Sequence, residues 1–259
     1  MAFKKLKLWF DKELAIKLAD SLKVIRPKLD YKSFVQKVDS QVDALELKDR
    51  VEMIADQLYL LLGSDYKKAV TTLLKILGPE NEEETGMFTN FYWIMPIAKL
   101  VEKYGLDHHE LSMKAVVEIT KRNTGEFTIR PYLEAEPKKV LAEMKTWASS
   151  DNRHVRRLAS EGCRPRLPWA SKLDMFIKNP KPLFPILTKL KDDPSKYVQK
   201  SVANCLNDIL KDNYTLGQSL IEKWNTKNIS KERQWIIKHA LRNLVKKDDA
   251  WAKRILNRS

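Results

Sequence analysis

Glycine is scarce in this chain, seven residues in 259, and cysteine nearly absent. The two cysteines, Cys163 and Cys205, cannot make a disulfide framework, and without a CxxC there is no thioredoxin-like redox centre. The four histidines form no zinc-like pattern; His108-His109 is an adjacent pair suited to a loop or helix edge, so no metal site is expected. No segment is apolar for long enough to span a bilayer. The start, MAFKKLKLWFDKELA, lacks an uninterrupted apolar run and a small-residue cleavage site, and reads as the mature N-terminus of a cytoplasmic protein. Alternating apolar and polar runs of useful length are also missing, so essentially no sheet is expected.

What the chain does have is positive charge and helical spacing. Lys and Arg number 48 against 34 Asp and Glu, a net charge of +14. That balance suggests a polyanionic partner, most often nucleic acid. A membrane surface is the weaker option, because the charge is spread along the chain and not held in one cluster. The length allows a sizeable core in one or two domains.

Asp11 is placed to cap a helix carrying Leu14, Leu18 and Leu22, and Asp30 one carrying Phe34, Val38, Val42 and Leu45. Leu47–Leu62 repeats the pattern and stops at Gly63; Asp65 opens a helix through Val70, Leu73, Leu74 and Leu77 that Gly78-Pro79 ends. Residues 81–89 are a polar, acidic break, read as a surface loop. Phe91–Tyr104 and Leu111–Lys121 then resume helical spacing. In the second half, Asp151, Asp193 and Ser230 each begin a helix with an aliphatic residue followed closely by a basic one, about forty residues apart, with further helices at Pro182–Lys191 and Leu216–Trp224. Two helices per period of that length indicate HEAT-like repeats, whose stacking leaves a concave surface that the basic residues could line.

Three stretches could carry chemistry. Asn152–Trp169 gathers five arginines, Glu161 and Trp169; Val155, Leu158 and Ala159 form the buried side of a helix, and two prolines prevent its continuation. Either a salt-bridged helix face or a framed carboxylate accounts for it. In Ser195–Leu210, Val198, Val202, Cys205 and Ile209 fall on a core side, while Ser201, Asn204 and Asp208 form a polar line flanked by Lys200 and Asn207. Asp208 stands near its helix C-terminus, where the dipole disfavours a carboxylate, so it needs a cationic partner or has a function. In Thr124–Leu133, Thr124 and Glu126 are placed to cap a helix start, Arg130 to pair with Glu126, and Pro131 to cut the turn.

The strings EFTIRPYL, HVRRLASEGCRPRLPW and PSKYVQKSVANCLNDILKD, with LELKDRVEMIADQL earlier, resemble the AlkC branch of the bacterial alkylpurine DNA glycosylases, from about residue 10 to about residue 245. That resemblance implies an all-α solenoid of HEAT-like repeats with a concave basic groove for duplex DNA. It implies a monofunctional glycosylase of base excision repair in the bacterial cytosol, associated with the nucleoid and monomeric. The reaction would be hydrolysis of the N-glycosidic bond of cationic alkylated bases such as 3-methyladenine or 3-methylcytosine, without metal or other cofactor. Carried over by motif, the catalytic residues are Glu126, Glu161, Trp169 and Asp208. DNA-binding residues are expected at Arg153, Arg156, Arg157, Arg164, Arg166, Lys200, Lys238 and Arg242. The chain is expected to form a single domain over residues 1–259, without the immunoglobulin-like domain that some members carry. It departs from the family pattern at Gly125, where a serine is expected, at Gln199, where an arginine is, and at Cys205, which replaces an asparagine. The chemistry is coherent: an alkylated base already carries positive charge and leaves readily, so carboxylates need only stabilise an oxocarbenium-like sugar and position water. An indole favours the cationic base or sugar through its ring face. The alternatives are a non-catalytic HEAT-repeat scaffold that binds DNA and one that binds an acidic peptide.

Overall fold

The computed structural model describes residues 4–257 apart from Met87 and Thr89. The first residues of the N-terminal reading and part of the acidic break lie outside that set. The chain divides into two compact units, Met1–Thr128 and Ile129–Ser259. The first holds α1 (Lys12–Lys23), α2 (Tyr31–Val42), α3 (Leu47–Leu61), α4 (Tyr66–Leu74), α5 (Met95–Tyr104) and α6 (His109–Thr120). The second holds α7 (Arg130–Ala135), α8 (Pro137–Trp147), α9 (Arg153–Glu161), α10 (Asp174–Lys178), α11 (Phe184–Leu190), α12 (Lys196–Asp212), α13 (Tyr214–Trp224), α14 (Lys231–Val245) and α15 (Ala250–Leu256). The fold is all-α: only helices, turns and loops occur among the described residues. None of these helices is long and apolar enough to cross a membrane.

In the first unit the expected caps form. Asp11, Asp30 and Asp65 accept from the backbone N–H groups of Leu14, Ser33 and Lys68, satisfying donors that a helix start leaves open. The apolar stripes then bury: Leu14, Leu18 and Leu22 of α1, Phe34 and Val38 of α2, and Ile54 and Leu58 of α3. Each such side chain contributes roughly 1.5–3 kcal/mol. Gly63 and Gly78 both adopt left-handed φ, +89° and +72°, which a residue with a Cβ resists. α4 ends at Leu74, three residues before the expected Leu77, because Lys75 and Ile76 bond back to the third residue before them and tighten the last turn.

In the second unit α9, α12 and α14 lie side by side, α9 against α12 and α12 against α14; α8 and α11 back α9, α13 backs α12 and α15 backs α14. This is the layered pairing of HEAT-like repeats. The caps are Asn152, Ser195 and Ser230. The first two replace the expected Asp151 and Asp193. Asp193 instead accepts from the Ser195 N–H and from Arg156, so its carboxylate fastens the turn and the serine hydroxyl is left to cap. Pro131 does not cut a helix, as expected, but stands in the first turn of α7, where its missing N–H has no helical acceptor. α8, opened in the same way by Pro137, was not legible in the spacing.

Candidate active site

The loop after α9 turns on Gly162. Its backbone is right-handed, so positive φ is not the reason for glycine here. A Cβ at this position would lie 2.6 Å from Ile129 Cγ2 and 3.1 Å from the Leu158 carbonyl oxygen. The close approach lets Arg130 of α7 reach under the loop. Its guanidinium donates to the carbonyls of Gly162 (3.2 Å), Arg164 (3.0 Å) and Ser171. Along the chain Arg130 is placed to pair with Glu126; its two Nη groups are instead engaged by backbone carbonyls of a proline-interrupted loop.

Two arginines flank Pro165, and both grip α12. Arg164 Nε and Nη2 donate to Asp208 Oδ2 and Oδ1 at 2.9 and 3.4 Å, and its Nη1 donates to Glu161 Oε1 at 2.7 Å. One turn further along α12, Arg166 makes a two-pronged contact with Asp212, both distances 2.7 Å. An extended Arg-Pro-Arg thus matches a helical pair of aspartates four residues apart. Both aspartates stand where the helix dipole opposes them, and the guanidinium groups offset that. The Ser160 and Ser201 hydroxyls, 2.7 Å apart, join α9 to α12 beside this cluster.

The two carboxylates differ electrostatically. Burial raises the Glu161 pKa, but Arg157, Arg164 and Ser201 outweigh it and hold the group below the usual glutamate value. For Asp208 burial prevails over the Arg164 contact, and its pKa lies above the usual aspartate value. Glu161 and Asp208 are 5% and 8% exposed, so two nearly dry carboxylates share one guanidinium.

Trp169 stands at the tip of the same loop, 61% exposed. Its φ is +64°, a conformation that costs a bulky residue roughly 1–3 kcal/mol and that persists where the surroundings impose it, often at functional sites. Glu126 belongs to the first unit. It is buried and accepts from the Thr124 hydroxyl at 3.0 Å. Gly125 beside it is tight: a Cβ would lie 2.6 Å from Thr120 Oγ1, which accounts for glycine in place of the expected serine.

The eight expected DNA-binding residues separate. Arg164 is buried on its two carboxylates. Arg156 pairs with Asp193 (Nε–Oδ2 2.6 Å, Nη2–Oδ1 3.2 Å) and with two carbonyls. Arg166 is tied to Asp212. These two are turned to structural partners because each finds an aspartate on the next repeat. Arg157 sits 4.6 Å over the Tyr197 ring and 3.7 Å from Glu161. Arg153 is half-buried at the start of α9, Lys200 and Lys238 are exposed, and Arg242 donates to Asn204 at 2.9 Å. Gln199 is buried and donates to the Asp193 carbonyl at 2.8 Å, locking the turn before α12. Sequence reading gave no role to Lys196, Trp235 or His239. Lys196 Nζ lies 3.6 Å over the Trp235 ring, which stacks on His239. An aromatic residue beside an aliphatic core position was the available signal.

The profile of the family described as DNA alkylation repair enzyme matches residues 124–255. Uncharacterized protein YhaZ of Bacillus subtilis (strain 168) is 41% identical over 208 residues, which cover 80% of this chain and 55% of that protein. The chain thus spans about half the length of that curated relative. The solved structure of Pseudomonas fluorescens alkylpurine DNA glycosylase AlkC bound to DNA containing an abasic site analog is 35% identical, with a TM-score of 0.88 over 98% of this chain and 69% of that one.

Proposed function

The chain belongs to the DNA alkylation repair enzyme family, and from that membership we propose that it is a monofunctional DNA glycosylase hydrolysing the N-glycosidic bond of cationic alkylated bases in duplex DNA. The observation that carries the reading is the pair Glu161 and Asp208, held nearly dry on one guanidinium at the start of a loop that also carries an exposed Trp169. A scaffold that only binds phosphates gains nothing from buried carboxylates on a basic unit, since they weaken phosphate attraction.

In this reading Arg164 is a positioning residue. It favours the ionised form of both carboxylates and fixes their direction without touching the substrate. Asp208, gripped through two oxygens and raised in pKa by burial, stabilises positive charge developing on the sugar and orients the attacking water. Charge in a nearly dry site acts more strongly than in water. The Trp169 indole offers its face to the cationic base or sugar. Glu126 enters the proposal through the family resemblance alone. Arg153, Arg157, Lys200, Lys238 and Arg242 are proposed to hold backbone phosphates.

The test is to incubate the protein with methylated duplex DNA and identify released free bases by mass spectrometry. Release of alkylated base names the lesion; tight, salt-sensitive binding without release would establish a non-catalytic binder instead.

Trp169→Ala is expected to slow excision by roughly threefold to thirtyfold, the worth of one cation–π contact. Melting temperature should hardly change, because an exposed ring leaves no cavity. Lost melting temperature with normal excision would assign the ring to stability alone.

A further inference from the structure

The cations of the second unit are of two kinds. Arg156, Arg164, Arg166 and Arg233 each face an aspartate within ion-pair distance. Lys196, Lys200, Lys238 and Arg242 take part in none of the ion pairs among the described residues. Three of these uncompensated groups surround one imidazole on the seam between α12 and α14.

Trp235 and His239 lie one turn apart on α14, their rings 4.7 Å apart and 10° from parallel. Lys196 of α12 holds its ammonium over the indole and donates to Gln199 Oε1 at 3.0 Å. An aromatic face steadies an ammonium without cancelling its charge toward a third group. Arg242 Nη1 donates to the His239 carbonyl at 2.7 Å, and its Nη2 reaches back to Asn204 on α12. The charged groups that act on His239 are Arg242 from its own helix and Lys200 and Lys196 from α12; no charged group of α15 or α13, which also touch α14, acts on it. Burial first, then those three cations, hold the imidazole below its ordinary pKa. Asp208, the carboxylate on that side of α12, is paired with Arg164 and acts on Arg242 without an ion pair.

We propose that Lys196, Lys200, His239 and Arg242 form a seat for one backbone phosphodiester of DNA, in which His239 takes up a proton as the phosphate arrives. This rests on the reading of the chain as a DNA glycosylase and specifies where α12 and α14 hold the strand. A phosphate oxygen offsets the cations that, with burial, oppose protonation of the imidazole, and its negative charge favours the imidazolium. Binding and protonation are then linked. The complex has the higher histidine pKa, so affinity is fully present below the free-protein value and is lost as pH rises through that of the complex.

The test is the dissociation constant for a short undamaged duplex at fixed ionic strength, from about pH 5.5 to about pH 8.5, a range that brackets an ordinary histidine. Wild type should lose about tenfold more affinity across that range than His239→Gln, the effect of a one-unit pKa change on binding. His239→Lys carries a fixed charge. It should bind with little pH dependence and more tightly than wild type at the alkaline end. Calorimetry in two buffers of different ionisation enthalpy should detect proton uptake on DNA binding by wild type and none by His239→Gln. Lys196→Gln should lower the slope of log affinity against log salt by about one. Melting curves over the same pH range keep the comparison to folded protein. Equal pH slopes in wild type and His239→Gln would overturn the seat, whether or not wild type excises alkylated bases. The predicted pH slopes in a protein that releases no base would support the seat and sink the glycosylase reading. Absence of duplex binding would overturn both.

Discussion

Asp208→Asn is expected to slow single-turnover excision about a hundredfold or more, the effect of removing a few kcal/mol of transition-state stabilisation. Asparagine keeps the shape and one accepting oxygen for Arg164, but it brings an NH2 group where a donor-only guanidinium now meets a second oxygen. Stability should therefore fall as well, by about 1–3 kcal/mol, or roughly 2–12 °C in melting temperature for a chain of this size. Excision is compared per folded molecule, well below the midpoint. Affinity for undamaged duplex should be equal or slightly tighter, since one charge that repels phosphate is gone. The raised pKa of Asp208 adds a second readout: if its ionised form is required, the acid limb of the wild-type rate profile lies above the ordinary aspartate value of 3.8. Near-normal turnover in a folded Asp208→Asn protein would move the catalytic role to Glu161 or Glu126.

Arg164→Met should produce the largest loss of stability, about 3–5 kcal/mol, because it leaves Asp208 buried without its cation and Glu161 with Arg157 alone. Its pH dependence follows from the two shifts. In wild type, Glu161 has a lowered pKa, so it contributes stability present above its ordinary value of 4.5 and lost as pH falls through its lowered folded value. Asp208 has a raised pKa, so its contribution is present below 3.8 and lost as pH rises through the folded value. Methionine at 164 raises both folded values; Asp208 then favours the fold only in the protonated state, while Glu161 keeps Arg157 and Ser201. The stability gap between variant and wild type should therefore narrow as pH is lowered from about 8 toward about 5, measured by urea unfolding at each pH. A gap that widens on acidification, or one below about 1 kcal/mol throughout, would show that Arg164 does not compensate the pair.

Helix class and most helix starts were legible in the sequence, for a local reason. A cap needs one oxygen three residues before an amide, and a core stripe needs only helical spacing. Asp11, Asp30, Asp65 and Ser230 cap as read, and Val198, Val202, Cys205 and Ile209 are all fully buried. The misreadings arose where a side chain had a distant claim on it. Asp193 is an adequate cap in isolation, but Arg156, 37 residues away, takes its carboxylate. Pro131 reads as a break until its place in a first turn is known.

By itself the sequence determined an all-helical chain, its helix pairs at intervals of about forty residues, its excess of positive charge and, through four strings of residues, its family. It also brought forward Glu161, Asp208 and Trp169. Tertiary structure decided which cations are available. Arg156, Arg164 and Arg166 look equivalent to Lys200 and Arg242 along the chain, yet the first three meet carboxylates 37, 44 and 46 residues away. Helical period says which side of its own helix a residue occupies and nothing about what the next helix presents to it. Because an ion pair forms only within about 4 Å, packing α9 and its loop against α12 and the turn before it pairs those three arginines and leaves Lys196, Lys200 and Arg242 without an ion pair around His239.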